Sequence, residues 1–391
     1  MRILGFSEIQ ICMQQDSTYS EIIMDHFLPK TLAVSLLFAG MIECASAQQN
    51  AMQFLSGANA KVAKATASKT KWDGPSAGPA LKKNKKIVFI AGDLSDPGVG
   101  GVLQGLKEAA KDSTWEILNI DCRGACNNGA AVVKQAIDMD ADGIVLAGVD
   151  ALSQAKGMEI AKTKDIPVVG WHANSKPGPV AGLFTNITSD PKEAAQIAAL
   201  YGVVETTNKV GMVVLTDNSN PYSLAKSNGI IEVIKQCESC RLLSVEDVPV
   251  TDARKKMGPL VDSLVKRHGG KWTHVIAVND AYFDVMAQPE IAALMTGNKL
   301  RGISAGDGSN AAYKRIRGNK IQIGTVSEPL ALHGWQLMDE LNRAMSKEAP
   351  SGYVTPVHLV TTQNMAYDGA NKDTFDPSNN FRAKYLAYWN K

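Results

Sequence analysis

From Ile87 onward the chain alternates short apolar runs with amphipathic stretches. IVFIA, WEILNI, GIVLA and PVVGW each have strand length, and between them helices are expected from near Gly98, Asn128 and Ala151. A second series, KVGMVVL, RLLSVEDV, HVIAV and LRGISA, interleaves with helices from about Pro191, Tyr222, Asp252, Ala281 and Ser309. Such runs, bounded by Gly, Asp or Asn, are the pattern of βαβ units building a parallel sheet. Two series imply an α/β protein of two Rossmann-like, doubly wound lobes. The Pro- and Gly-rich stretch NSKPGPVAGLFTNITSDP (174–191) is their junction, and its Asp190-Pro191 pair starts the next helix. Beyond Ile321 come a strand (IQIGTVSEP), a long amphipathic helix (LALHGWQLMDELNRAMSK), a final strand (TPVHLVTTQN) and an aromatic tail.

Upstream of this pattern lies a segment that is not fold. From Met24 the chain reads MDHFLPKTLAVSLLFAGMIECASAQQN, with Lys30 before an apolar stretch, Thr31–Ile42, and the small-residue site Ala45-Ser46-Ala47. That is the plan of a secretory signal peptide (24–47) cleaved after Ala47. A short anchor is the alternative, although the apolar run is short for a bilayer. A lipoprotein at Cys44 is disfavoured by the charge of Glu43. Either Met1 or Met24 could begin the chain. Residues 48–84, rich in Ala, Lys, Ser, Thr, Gln and Gly, read as an extended, mobile lead.

The total of 391 residues suits two domains, and 41 basic against 39 acidic residues leave no field for nucleic acid. Export changes the reading of the cysteines. Cys12 and Cys44 fall outside the mature chain, leaving Cys122, Cys126, Cys237 and Cys240 as Cys-Arg-Gly-Ala-Cys and Cys-Glu-Ser-Cys. In an oxidising compartment two local disulfides are the simplest outcome, with zinc, free thiols or redox chemistry as alternatives.

Ligands of open α/β sheets bind at the carboxyl ends of the strands. Reading the residues after each strand gives Asp93 and Asp96, then His172, then Asp217, Asn218 and Tyr222. Asn279, Asp280, Asp307 and Glu328 complete the set. Carboxylates dominate and arginines are scarce, which suits hydroxyl donors or a cationic group and would repel phosphate. The loop IVFIAGDLSDPGVGGVLQG begins a G-x-G-x-x-G fingerprint at Gly98 and Gly100 but has Leu103 in the third place, and no P-loop occurs. No cofactor is expected. An enzyme alternative comes from Gly302-Ile303-Ser304-Ala305-Gly306, followed by Asp339 and His358 in the order of an α/β-hydrolase. Against it, Ser304 lies inside the apparent strand and the turn residues come after it. His172, His333 and His358 each have the plainer reading of a hydrogen-bonding residue near a strand end, and no histidine or acid has metal-ligand spacing.

The leader, IVFIAGDLSDPGVGGVLQGLKEAAKD, ADGIVLAGVDA, IPVVGWHAN, AVNDAYFD, RGISAGDGSNAAYKRIRGNKIQIGTVSEP and HLVTT follow one another in an order that resembles the periplasmic sugar-type (ribose-binding-like, type 1) solute-binding proteins of ABC transporters. The resemblance covers roughly residues 85–365. It implies two lobes, 85–188 plus 329–357 and 189–328 plus 358–391, joined by a three-strand hinge and closing on a small ligand. It further implies a periplasmic, monomeric, non-enzymatic receptor partnered by a membrane permease. Its ligand contacts map to Asp96 with Asp93 nearby, His172-Ala173, Asn279-Asp280, Asp307 and Glu328, and near Tyr222 and Lys226.

The chain departs from the family pattern where Gly98 and Val99 replace aromatics, His172-Ala173 replaces an Asp-Arg pair and Glu328 replaces an amide. Stacking would then come from Trp171, Tyr222, Tyr282 or Phe283. The expected ligand is a sugar, polyol or sugar derivative. The alternatives are a small cationic or signalling molecule feeding a membrane sensor, or an exported serine hydrolase using Ser304. Lactose-repressor-type regulators share the fold but carry a DNA-binding segment where this chain has its leader.

Overall fold

The computed structural model describes residues 30–126, 129–206, 210–297, 299–369 and 372–390, with the backbone alone for 30–47. Met1, Cys12, Met24 and Asn128 lie outside these residues. Helix α1 spans Lys30–Thr66 and so includes the first part of the segment read as a mobile lead. The composition that suggested mobility is also that of a good helix former, since Ala, Lys, Gln and Met have high intrinsic propensity. No helix among the described residues is long and apolar enough to cross a membrane.

The first sheet holds β1 (Lys86–Ala91), β2 (Glu116–Asp121), β3 (Gly143–Ala147), β4 (Val168–Trp171) and β5 (Asn186–Ile187), all parallel, in the order β2-β1-β3-β4-β5. Ile87 through Ala91 are wholly buried. An unbroken apolar run is what a central strand covered on both faces requires. Its helices are α2 (Pro97–Ala110), α3 (Ala131–Asp138) and α4 (Ala155–Thr163). Only β5 was hidden in the junction, because two residues are too short to carry a periodicity.

The second sheet contains β6 (Val210–Thr216), β7 (Cys240–Asp247), β8 (His274–Ala277), β9 (Arg301–Ser304), β10 (Gln322–Val326) and β11 (Leu359–Thr361). Their order is β11-β10-β9-β8-β6-β7, with only β11 antiparallel. Helices α5 (Pro191–Val204), α6 (Pro221–Gln236), α7 (Ala253–His268), α8 (Ala281–Met286), α9 (Pro289–Leu294) and α10 (Asn310–Arg317) cover it. The single helix expected from Ala281 is broken in two: Gln288, ahead of Pro289, is extended, as the proline ring demands. Asp190, Asn220 and Ser309 cap α5, α6 and α10 with their side chains.

Three hinge segments join the lobes, ahead of a further passage that follows β11. Residues 188–190 lead out of the first, 327–329 lead back into α11 (Leu330–Met345), and the stretch after α11 returns to β11. α11 belongs to the first lobe, packing against α2, β3, β4 and β5. The tail departs from expectation. Placed with the second lobe by the sequence, its helix α12 (Phe381–Trp389) instead packs on the first, where Phe381, Tyr385 and Trp389 share a core with Leu106, Trp115 and Trp335. The reason is the aromatic face of α12, which finds a stacked partner in Trp335, 5.4 Å from Trp389.

Residues 67–85 form neither helix nor strand, yet they are docked as a strap beside α12. Trp72 lies 5.5 Å from Tyr353 and 5.4 Å from Tyr385 between ring centroids. Leu81 N–H donates to Trp389 O at 3.0 Å, and the Asn342 side chain binds Lys82 N–H and Pro79 O. This explains why α11 buries polar residues: Asn342 and Arg343 receive the strap, while Asp339 accepts from Trp389 Nε1 at 3.0 Å.

The two expected disulfides are formed, Cys122–Cys126 and Cys237–Cys240, with Cα atoms 5.1 and 5.2 Å apart.

α2 and α11 cross through glycines. A Cβ on Gly334 would stand 2.2 Å from the Gly105 carbonyl carbon and the Leu106 nitrogen, so only hydrogen fits. Gly334→Ala should therefore separate the helices and destabilise the protein by at least about 1–3 kcal/mol, the usual cost of overpacking. A drop in the calorimetric Tm checks this, and an unchanged Tm would show that the crossing can yield.

Candidate functional site

The carboxyl ends of β1, β2, β3 and β4 face those of β6, β8 and β9 across a cavity of about 580 Å³. Its walls include Asp93, Asp96, Gly124, Cys126, Asp150, Trp171 and His172 from the first lobe. The second contributes Asp217, Tyr222, Lys226, Arg254, Asn279 and Asp307. This is where a doubly wound sheet delivers its loops.

On the first-lobe side, Asp93 accepts from Ser95 N–H at 2.8 Å and so shapes its own loop. Asp96 caps α2, its Oδ1 accepting from Gly98 N–H at 2.8 Å, while its Oδ2 accepts from Asn279 Nδ2 of the other lobe at 3.3 Å. A Cβ on Gly98 would lie 2.4 Å from Asp307 Oδ2. The glycine that interrupts the aromatic pattern is thus the place where the opposite lobe's carboxylate comes in. Burial, reinforced by the Asp307 charge, pushes the Asp96 carboxyl up to about 7. The Gly98 and Val99 amides and Lys226 oppose this rise.

On the second-lobe side the contact expected near Lys226 is a buried cation. Lys226, one helical turn after Tyr222 on α6, is 2% exposed. Its Nζ donates to Val278 O at 3.3 Å, lies 3.6 Å from Asp307 Oδ1 and sits 4.5 Å above the Tyr222 ring. The acidic character read from the strand ends is therefore offset inside the cleft. Residue spacing agrees with its place beside Tyr222, because positions i and i+4 share a helix face.

Three rings stack where the lobes meet. The His172 imidazole lies 3.8 Å from Trp171 and 4.1 Å from Tyr222 between centroids, tilted by 17° and 20°. His172 holds a left-handed φ of 50°, an uncommon backbone for a non-glycine residue. The adjoining loop is fixed by Asn186, which accepts from Ala173 N–H at 3.0 Å and donates to Asn174 O and Lys176 O. Burial presses the His172 imidazole down to about 3, with Asp307 opposing and Lys226 adding, so the ring is neutral. Its Nε2 and Asp307 Oδ1 are buried with no hydrogen-bond partner among the described residues.

Two expected contacts stand elsewhere. Asp280 is turned into its own lobe, where it accepts from Gly308 N–H (2.8 Å), Ser309 N–H (3.1 Å), Gln322 Nε2 (2.7 Å) and Thr325 Oγ1 (3.0 Å). It braces the Asp307 loop instead of facing the cavity. Burial raises its carboxyl above the ordinary range, with the Arg315 charge opposing. Glu328 is buried in the hinge behind the ring stack, bonded to Ser189 Oγ at 2.8 Å. Tyr282 and Phe283, offered as stacking candidates, are wholly buried and absent from the cavity wall.

The hydrolase arrangement does not assemble. Ser304 Oγ is engaged by the Gly306 backbone, His358 pairs with Asp368 at 2.8 Å, and Asp339 with Arg343 at 2.7 Å. Among the described residues no group of His, Cys, Asp and Glu is placed to hold a metal ion.

Comparisons with known proteins agree with this architecture. The family model described as a periplasmic binding protein domain matches residues 87–349. Among solved structures, an ABC transporter solute-binding protein from Agrobacterium vitis with bound D-fucose is 18% identical, covering 74% of this chain and 100% of its own, with a TM-score of 0.63. A second from Agrobacterium vitis, with bound allitol, is 17% identical over 73% and 97%, at a TM-score of 0.61. A third from Bacillus halodurans C-125, with bound myo-inositol, is 18% identical over 78% and 99%, at 0.60. At these identities the likeness is one of fold. No curated protein matches the chain.

The Asp96 environment makes the approach of the lobes pH-dependent. With the lobes together its carboxyl titrates near 7, against an ordinary 3.8 in water. Asp96 therefore favours closure as pH falls below 7 and disfavours it as pH rises through 7, whereas His172, held near 3 within the stack, opposes closure at low pH. Small-angle scattering of the ligand-free wild type and of Asp96→Asn isolates the Asp96 share: on going from pH 8 to pH 5 the wild type should become more compact relative to the variant. Equal responses in the two proteins would assign the pH dependence to another group.

Proposed function

The chain belongs to the periplasmic binding protein domain family, and from that premise we propose that it is an extracytoplasmic solute-binding protein. It captures a small polyhydroxylated ligand, a sugar, polyol or sugar derivative, between its lobes. The observation that carries this reading is the mixture of acceptors and donors converging on one cavity from both lobes. Asp96, Asp307 and the neutral His172 accept, whereas Lys226 and Asn279 donate. A hydroxyl group both donates and accepts, so it suits such a lining better than an ion of either sign. The neighbours described above hold D-fucose, allitol and myo-inositol, all dense in hydroxyls. The buried Lys226 ammonium weighs against the small-cation alternative, since a second positive charge would meet it in a poorly solvated space.

In this reading the protein acts as a monomer, presents its ligand to the permease of an ABC importer and carries out no chemistry on it. The leader is removed after Ala47, and the two disulfides suit the oxidising compartment beyond the membrane.

A thermal-shift screen over D-fucose, allitol, myo-inositol and small amines tests the proposal. A sugar or polyol should raise the Tm, and Lys226→Met and Asp307→Asn should each weaken its binding by about 10–100-fold, the worth of a hydrogen bond to a charged group. An amine that stabilises the wild type but not Asp307→Asn would overturn the assignment in favour of a cationic ligand.

A further inference from the structure

Behind the ring stack runs a file of hydrogen bonds that the capture of a solute does not by itself require. Trp171 Nε1–H donates to His333 Nδ1 at 3.1 Å. His333 Nε2 is 2.7 Å from Thr355 Oγ1, Thr355 Oγ1 is 3.0 Å from Ser189 Oγ, and Ser189 Oγ is 2.8 Å from Glu328 Oε2. Every one of these side chains is buried.

The chemistry of the two ends fixes the direction of the whole file. An indole N–H can only donate, so His333 Nδ1 accepts; a neutral imidazole then carries its proton on Nε2 and gives it to Thr355. A carboxylate can only accept, so Ser189 donates to Glu328, which leaves Thr355 donating to Ser189. No hydroxyl is left with a choice. Burial presses His333 down to about 4, against the pull of Glu328, which keeps the ring neutral as the file demands.

Placement gives the file its meaning. Ser189, Glu328 and Thr355 lie on the three different segments that join the lobes, and His333 is on α11. Glu328 also closes a circuit: its Oε1 lies 3.5 Å from Tyr222 Oη and 3.8 Å from His172 Nε2, the other two members of the stack. We propose that Ser189, Glu328, His333 and Thr355 form a positioning relay that holds the Trp171 indole, and with it the ring stack of the cleft, in register with the three connections between the lobes. The relay transmits the geometry of the hinge to the cleft wall through hydrogen bonds whose direction cannot be reversed without leaving a buried N–H facing another. It goes beyond the solute-capture reading and needs no ligand to be tested.

The test uses the full chain labelled with ¹⁵N, with the Trp171 indole signal assigned by its loss in Trp171→Phe. Wild-type His333 should show the Nε2–H tautomer at pH 7; an Nδ1–H tautomer or an imidazolium would overturn the relay. Thr355→Val touches neither Trp171 nor its bond, but it leaves His333 Nε2–H with only Glu328 Oε2, 3.6 Å away, and so draws the ring off the indole. The Trp171 indole resonance should move and its hydrogen exchange should quicken at least fivefold. Thr355→Ser should restore both, and Trp272, bonded to His274 O, should not respond. If Thr355→Val does not fold, Ser189→Ala is read in the same way. A folded variant of either kind with unchanged Trp171 shift and exchange would refute the proposal.

Discussion

A single ammonium group taken out of water governs how the cleft is built. Lys226 is almost wholly buried, and a buried charge is tolerated only where partners replace its hydration. Here they are the Val278 carbonyl, the face of Tyr222 and the carboxylate of Asp307. Asp307 must then be held in place, which is the work of Asp280: its Oδ2 accepts from the amides of both Gly308 and Ser309, while its Oδ1 is anchored by Gln322 and Thr325. Asp307 in turn reaches the opposite lobe only because Gly98 offers no side chain to stop it. From one lysine, therefore, follow a buried structural aspartate and a buried glycine at the start of α2 on the other lobe, and through Asp307 a charge that reinforces the burial raising the affinity of Asp96 for a proton.

Most of the architecture was legible in the alternation of apolar runs and amphipathic stretches. β1, β3, β4, β6 and β8 are buried on both faces and read as continuous apolar segments, and helix starts at Pro191, Pro221 and Ser309 are written in proline and capping residues. What escaped was decided by long-range packing. β5 is two residues long and exists because β4 lies beside it. The tail helix looks much like any aromatic amphipathic segment, and nothing local says which lobe Trp389 stacks upon. The strap has no secondary structure, so its docking rests on single groups such as Asn342 and Trp72.

The site divides along the same line. The rule that ligands gather at the carboxyl ends of strands located Asp93, Asp96, His172, Tyr222, Asn279 and Asp307 on one cavity. It could not tell which way a side chain turns. Asp280 follows Asn279 directly, yet one faces the cavity and the other the core, because neighbours on a chain point in different directions. Glu328 was placed at the right height but behind the stack instead of within it. Lys226 was named beside Tyr222, but its burial was not legible, since a buried lysine is rare and its justification lies in Asp307, distant in sequence.

The docking of α12 has a consequence for the path of the chain. With three passages between the lobes, the strap before β1 and the last helix would lie on opposite lobes. The tail adds a fourth passage, and an even number returns the chain to where it began, so Leu81 and Trp389 meet in a direct hydrogen bond. Topologically the second lobe is an excursion out of the first. Tension applied between the strap and α12 would be borne by the aromatic cluster of one lobe, while the other lobe and the cavity beside it would carry no load.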